Sequence, residues 1–121
     1  MPRTQDLIHT AYRRFTTEVP ALGKLKLVTR LELRGRRDVQ VFRVRTPGAQ
    51  ISKGEPEDAR VSVSMPRSHF NTLATEGTLK DWRAAVEQGH IKVTGDRRIQ
   101  RLVENVIERH EQRAGVAKRA R

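Results

Sequence analysis

Residues 89 to 96 read Gly-His-Ile-Lys-Val-Thr-Gly-Asp, one short alternating run with helical patterns on both sides. A strand this short cannot stand alone in water; it needs a sheet with several other strands. That sheet must therefore be built earlier in the chain. Gly89 stops the helix before the strand, Gly95 ends the strand, and Asp96 is placed to cap the helix that follows. In that last helix Ile99, Leu102, Val103, Val106, Ile107 and His110 recur at i, i+3, i+4, i+7, i+8 and i+11. Such spacing makes one apolar stripe, expected to lie across the sheet.

The earlier strands are legible from their period of two. Leu25, Leu27, Leu31 and Leu33 share one face of a strand, and Lys24, Lys26, Arg30, Glu32 and Arg34 share the other. Gly35 turns the chain into Val-Gln-Val-Phe-Arg-Val-Arg, where parity slips. Val39 and Val41 fall with Arg43 and Arg45, while Phe42 and Val44 fall opposite. A bulge would repair the alternation; otherwise the strand is covered on both sides for part of its length. A short third strand follows Pro47-Gly48, and after the polar loop Lys-Gly-Glu-Pro-Glu-Asp comes Arg-Val-Ser-Val-Ser-Met, with Val61, Val63 and Met65 inward.

Helices account for the remainder. Leu7, Ile8, Ala11, Tyr12 and Phe15 give the first, with Thr4 as its expected cap and Pro20 at its end. Phe70, Leu73 and Ala74 stripe a second, which Gly77 is expected to close in a left-handed cap. Thr78 and Asp81 make a capping-box pattern before Leu79, Trp82, Ala85 and Val86. The expected fold is α+β, a single domain over 1–113 with five largely antiparallel strands covered on one side by helices. Residues 114–121 read as a basic, disordered tail.

The chemistry on offer is sparse. The chain has no cysteine, and no phosphate loop, dinucleotide fingerprint, zinc-protease motif or nucleophile elbow. His9, His69, His90 and His110 are scattered without metal-ligand spacing. The serines of Ser-Val-Ser have no base beside them. Neither catalysis, a cofactor nor a metal is expected. No apolar run approaches the roughly 20 residues that a membrane helix needs, so a soluble, cytoplasmic protein is the expectation. Lys and Arg total 25 against 14 acids, a net charge of +11, densest from Lys24 to Arg45. Such a surface attracts polyanions: anionic membranes, or nucleic acid.

From about Arg60 to His110 the chain resembles the sterol carrier protein 2 family. The resemblance is carried by an ordered series: Ala-Arg-Val-Ser-Val-Ser-Met, the helix in Arg-Ser-His-Phe-Asn-Thr-Leu, the helix in Leu-Lys-Asp-Trp-Arg-Ala-Ala-Val, and Gly89 to Asp96. The first sixty residues match in element order alone. The resemblance implies a five-stranded sheet with a hydrophobic tunnel under its helices, and a non-enzymatic role in binding or transferring a fatty acyl chain, a sterol or a similar apolar molecule. On that reading Phe42, Val44, Phe70, Leu73, Trp82, Val86, Leu102 and Val106 wall the cavity, and Arg43 and Arg45 are candidates for a lipid head group.

Two other readings compete. A filled core with no ligand would make the domain an interaction or scaffold module. A nucleic-acid binder would use the basic 24–45 surface, although no aromatic side chains are interleaved there for base stacking.

Overall fold

The computed structural model describes residues 3–119, with side chains described through 113. Helix α1 (Thr4–Glu18) leads through a 3-10 turn (Pro20–Lys24) into strands β1 (Leu27–Arg34), β2 (Val39–Thr46), β3 (Gln50–Lys53) and β4 (Val61–Pro66). Helices α2 (Arg67–Glu76) and α3 (Leu79–Glu87), strand β5 (Lys92–Gly95) and helix α4 (Arg97–Arg119) complete the chain. The strand order is β3-β2-β1-β4-β5. Pairings are antiparallel except β1 with β4, which run parallel.

β5 joins this sheet at its edge beside β4, with Val61 opposite Gly95 and Val63 opposite Val93. The short strand is thus supported by a sheet already laid down. Its exit is tight: Gly95 has φ +112°, and a Cβ there would lie 2.5 Å from the Arg60 carbonyl oxygen. Asp96 then caps α4, its Oδ1 accepting the Arg98 N–H at 2.9 Å. Its other oxygen takes a 2.7 Å bond from Arg60, so the cap is tied back to the start of β4.

Of the two readings of β2, the bulge is the one that does not form. β1 and β2 pair without interruption from Leu27–Thr46 to Arg34–Val39. Phe42 and Val44 therefore stay on the inner side with Leu31 and Leu33. Val39 and Val41 go outward with the arginines, and Val39 is exposed. The connection after β3 makes this tolerable, because it crosses the outer face. There Glu55 pairs with Arg30 of β1, and Asp58 with Arg43 of β2. Ser64 and Arg30 also hold Glu32, at 2.7 and 3.1 Å.

The core lies between sheet and helices. Leu33, Met65, Phe42, Phe70 and Ala74 are at most 2% exposed and form one cluster with Leu7, Ile8, Ala11 and Ile91. Each large side chain in such a cluster is worth about 1.5–3 kcal/mol of transfer free energy. Two helix ends depart from expectation. α1 begins one residue early, capped from Arg3 with Asp6 accepting the Arg3 N–H. Gly77 is extended, φ −76° and ψ 141°, and not left-handed. Its glycine is required by space, since a Cβ would sit 2.6 Å from the Leu73 carbonyl oxygen. The Thr78–Asp81 capping box forms as its spacing predicts.

α4 departs furthest. Its stripe was expected to be buried, yet Ile99, Val103, Val106, Ile107 and His110 are only half-buried and Leu102 is 49% exposed. The helix bears on the Pro20–Lys24 turn and takes an ion pair from Arg83 of α3 to Glu111. It leans on the body without entering the central cluster. Its backbone continues through residue 119, where the unpatterned sequence suggested fraying; residues 120 and 121 lie outside the described residues.

Candidate functional site

Aromatic side chains from the first two helices both meet Trp82 of the third. Phe15 of α1 lies edge-on to Trp82 of α3, with ring centroids 5.0 Å apart, and Phe70 of α2 approaches the same indole at 6.1 Å. Phe70 is buried, whereas Phe15 and Trp82 are only half-buried at the margin of the core. Edge-to-face contacts of this kind suit aromatic quadrupoles. The helices carrying them are tied by polar contacts. Glu18 at the end of α1 accepts the Leu79 N–H at 3.0 Å, which sets a carboxylate at the positive end of α3. Arg14 donates to the Thr75 carbonyl of α2.

The residues expected to wall a cavity divide into three groups. Phe42, Phe70 and Leu73 are buried in the core cluster. Val44, Trp82 and Val106 are half-buried, the first two packed against that cluster. Val86 is 44% exposed and Leu102 49%, so neither is enclosed. The periodicity that selected these two marks the edge of a stripe as readily as its centre. Phe15 belongs with the site and was legible only as part of α1's own stripe; its contact with Trp82 is 67 residues distant in sequence (82 − 15).

The proposed head-group arginines stand elsewhere. Unbroken alternation along β2 puts Arg43 and Arg45 on the sheet face opposite Phe42 and Val44. Arg43 is held there by both carboxylate oxygens of Asp58, at 2.9 and 2.7 Å. The sheet itself separates this pair from the helical layer. The signal that could have shown this was the acidic loop at 55–58, whose carboxylates supply the counterions.

A separate cleft of 380 Å³ opens between α2 and α3, lined by His69, Leu73, Glu76, Asp81, Ala85 and Gln88 among others. His69 stacks on His90 beside it, with centroids 4.9 Å apart and planes inclined by 24°. Among the described residues no cluster of three or more histidine or acidic side chains is arranged to hold a metal.

The carboxylates of the ion pairs share a direction. Arg60 and then the Arg98 N–H hold Asp96 below its usual range, Arg43 does the same for Asp58, and Arg67 for Asp38. Ser64, followed by Arg30, lowers Glu32. A carboxylate whose folded pKa is depressed lends stability above its unfolded value and loses it as pH falls through the folded one. The urea midpoint should therefore fall as pH drops below about 4, where unfolded carboxylates begin to protonate. A midpoint that stayed level to pH of about 2 would show that these pairs contribute nothing.

No family model matches the chain, and no curated protein matches it. Solved structures do. The sterol carrier protein domain 2 of Helicoverpa armigera superimposes with a TM-score of 0.61 at 14% identity, covering 91% of this chain and 87% of that one. Palmitated SCP2L2 from Aedes aegypti gives 0.57 at 19% identity, covering 82% and 93%. Sterol Carrier Protein-2 from the same organism, in complex with the C16 fatty acid palmitate, gives 0.57 at 16%, covering 88% and 96%. With its five-stranded, mostly antiparallel sheet and its helices, the chain has the fold of the sterol carrier protein 2 structures.

Proposed function

We propose that this protein is a non-enzymatic binder and carrier of one acyl chain or a similar apolar molecule, held between α4 and the aromatic margin of the core. One observation carries the reading: α4 has a long apolar stripe that is only half-buried and outside the core cluster, while the Arg83–Glu111 pair brings α4 alongside α3, whose Trp82 is half-buried against Phe15 at the margin of that cluster. Apolar surface left open on both sides of a seam favours an apolar guest. Each CH₂ taken from water is worth about 0.8 kcal/mol, so a sixteen-carbon chain offers on the order of 12 kcal/mol before ordering costs. Structures of the same fold that hold palmitate support the choice of guest. Among the described residues, no helix is long and apolar enough to cross a membrane.

Titrating palmitate into the purified protein should shift the fluorescence of Trp82, the sole tryptophan, in a saturable way. Binding to the folded state alone should raise Tm by a stabilisation that grows as RT ln(1 + [L]/Kd). Val106→Phe adds bulk to the inward side of α4 without a second indole; it should abolish both responses and leave the protein folded. If the unsubstituted protein shows neither response to palmitate, the reading fails, and a core without a guest takes its place.

A further inference from the structure

The two edges of α4's apolar stripe differ in charge: one mixes acids with Arg97 and Arg101, and the other has arginines and no acid. On one edge Glu104, Glu108 and Glu111 recur at i, i+4 and i+7, and Glu111 is the residue that pairs with Arg83 of α3. On the other edge Arg98, Leu102, Asn105, Arg109 and Arg113 recur at i, i+4, i+7, i+11 and i+15, with no acid among them. All five are exposed. Among the described residues, none of the three arginines is in an ion pair, in contrast to Arg30, Arg43, Arg60, Arg67 and Arg83. The acidic edge is thus tied to the body at Glu111, and the arginine edge, with the half-exposed Leu102 among its cations, is exposed and without an ion pair among the described residues.

We infer that the Arg98–Leu102–Arg109–Arg113 edge docks the protein onto an anionic lipid surface. Exposed cations meet acidic head groups along one line, while the leucine between them has an apolar side chain to set at the boundary between head groups and acyl chains. A nucleic acid would satisfy the arginines equally but gives Leu102 nothing to contact, and the edge carries no aromatic ring on which a base could stack. This surface is separate from the seam beneath α4, so docking and guest binding can be lost independently.

The test is co-sedimentation of the full chain with vesicles of phosphatidylcholine alone and of phosphatidylcholine mixed with phosphatidylserine. Binding is expected to the mixed vesicles alone and to weaken as salt rises, since screening shortens from about 10 Å at 0.1 M to 3 Å at 1 M. Each arginine at the surface should contribute about five-fold in partitioning, so the triple variant R98Q/R109Q/R113Q should bind on the order of 100-fold more weakly. Leu102→Asp should stay folded and lose at least about ten-fold, whereas E104Q/E108Q should bind as well as the parent or better. The palmitate-dependent Trp82 signal of the triple variant should match the parent's, which separates failure here from failure of guest binding. Equal binding of parent and triple variant, equal binding to both vesicles, or preferential capture by a single-stranded RNA oligonucleotide at physiological salt would each overturn the inference.

Discussion

Phe42→Ala is expected to cost about 3–5 kcal/mol of folding stability, a large share of the 5–15 kcal/mol that a domain of this size commands. Phe42 is 2% exposed and pairs with Leu31 across the β1–β2 ladder, so deleting its ring leaves a hole that sheet and helices cannot both close. The size of the loss bears on function. A side chain that merely walled a ligand cavity would already border empty space and would lose fewer contacts on truncation. The expected result is a drop in the denaturant midpoint with m unchanged, not rescued by palmitate to the parent's level. A loss below about 1 kcal/mol would mean that Phe42 borders a cavity instead of filling the core.

Gly95→Ala is expected to be nearly as severe although it adds one methyl group. The backbone there has φ +112°, where a side chain is strained by about 1–3 kcal/mol whatever the space. Space is also lacking, because the added carbon would stand 2.5 Å from the Arg60 carbonyl oxygen and 3.0 Å from the Val61 Cα. Relief requires β5 to move off β4, which would strip the Asp96–Arg60 contacts that begin α4. Thermal unfolding should fall by several degrees, and amide exchange should rise in β5 and the first turn of α4 before it rises in β1. An Ala variant with the parent's Tm would refute this account of the turn.

Those two residues also show what could be read before any coordinates. Gly95 and Asp96 were legible because their roles are local: a strand end and a helix cap are set within a few residues. The inward sides of β1 and β4 followed from alternation for the same reason. β2 was left open between a bulge and cover on both sides because its parity slip has a remote cause, the carboxylates of Glu55 and Asp58 carried over the outer face by another connection. No periodicity within Val39–Thr46 contains that information. Leu102 and Val86 were assigned to a cavity because a stripe's period gives its direction but not how closely the opposing surface approaches. Burial depends on the spacing between elements, and α4 stands off from the cluster that the other helices close. The Phe15–Trp82 contact is likewise tertiary, visible only when α1 and α3 are side by side.

The crossing loop has a consequence for the molecule's behaviour at a distance. By bringing Glu55 and Asp58 over Arg30 and Arg43, it turns the outer sheet face into a surface of short-range internal dipoles that a neighbouring body scarcely feels. The attraction of a distant polyanion is thereby left to exposed cations outside these pairs, among them Arg34, Arg36 and Arg37 of the β1–β2 turn and Arg98, Arg109 and Arg113 of α4. Raising salt should weaken that attraction while leaving the paired face of the sheet nearly unchanged.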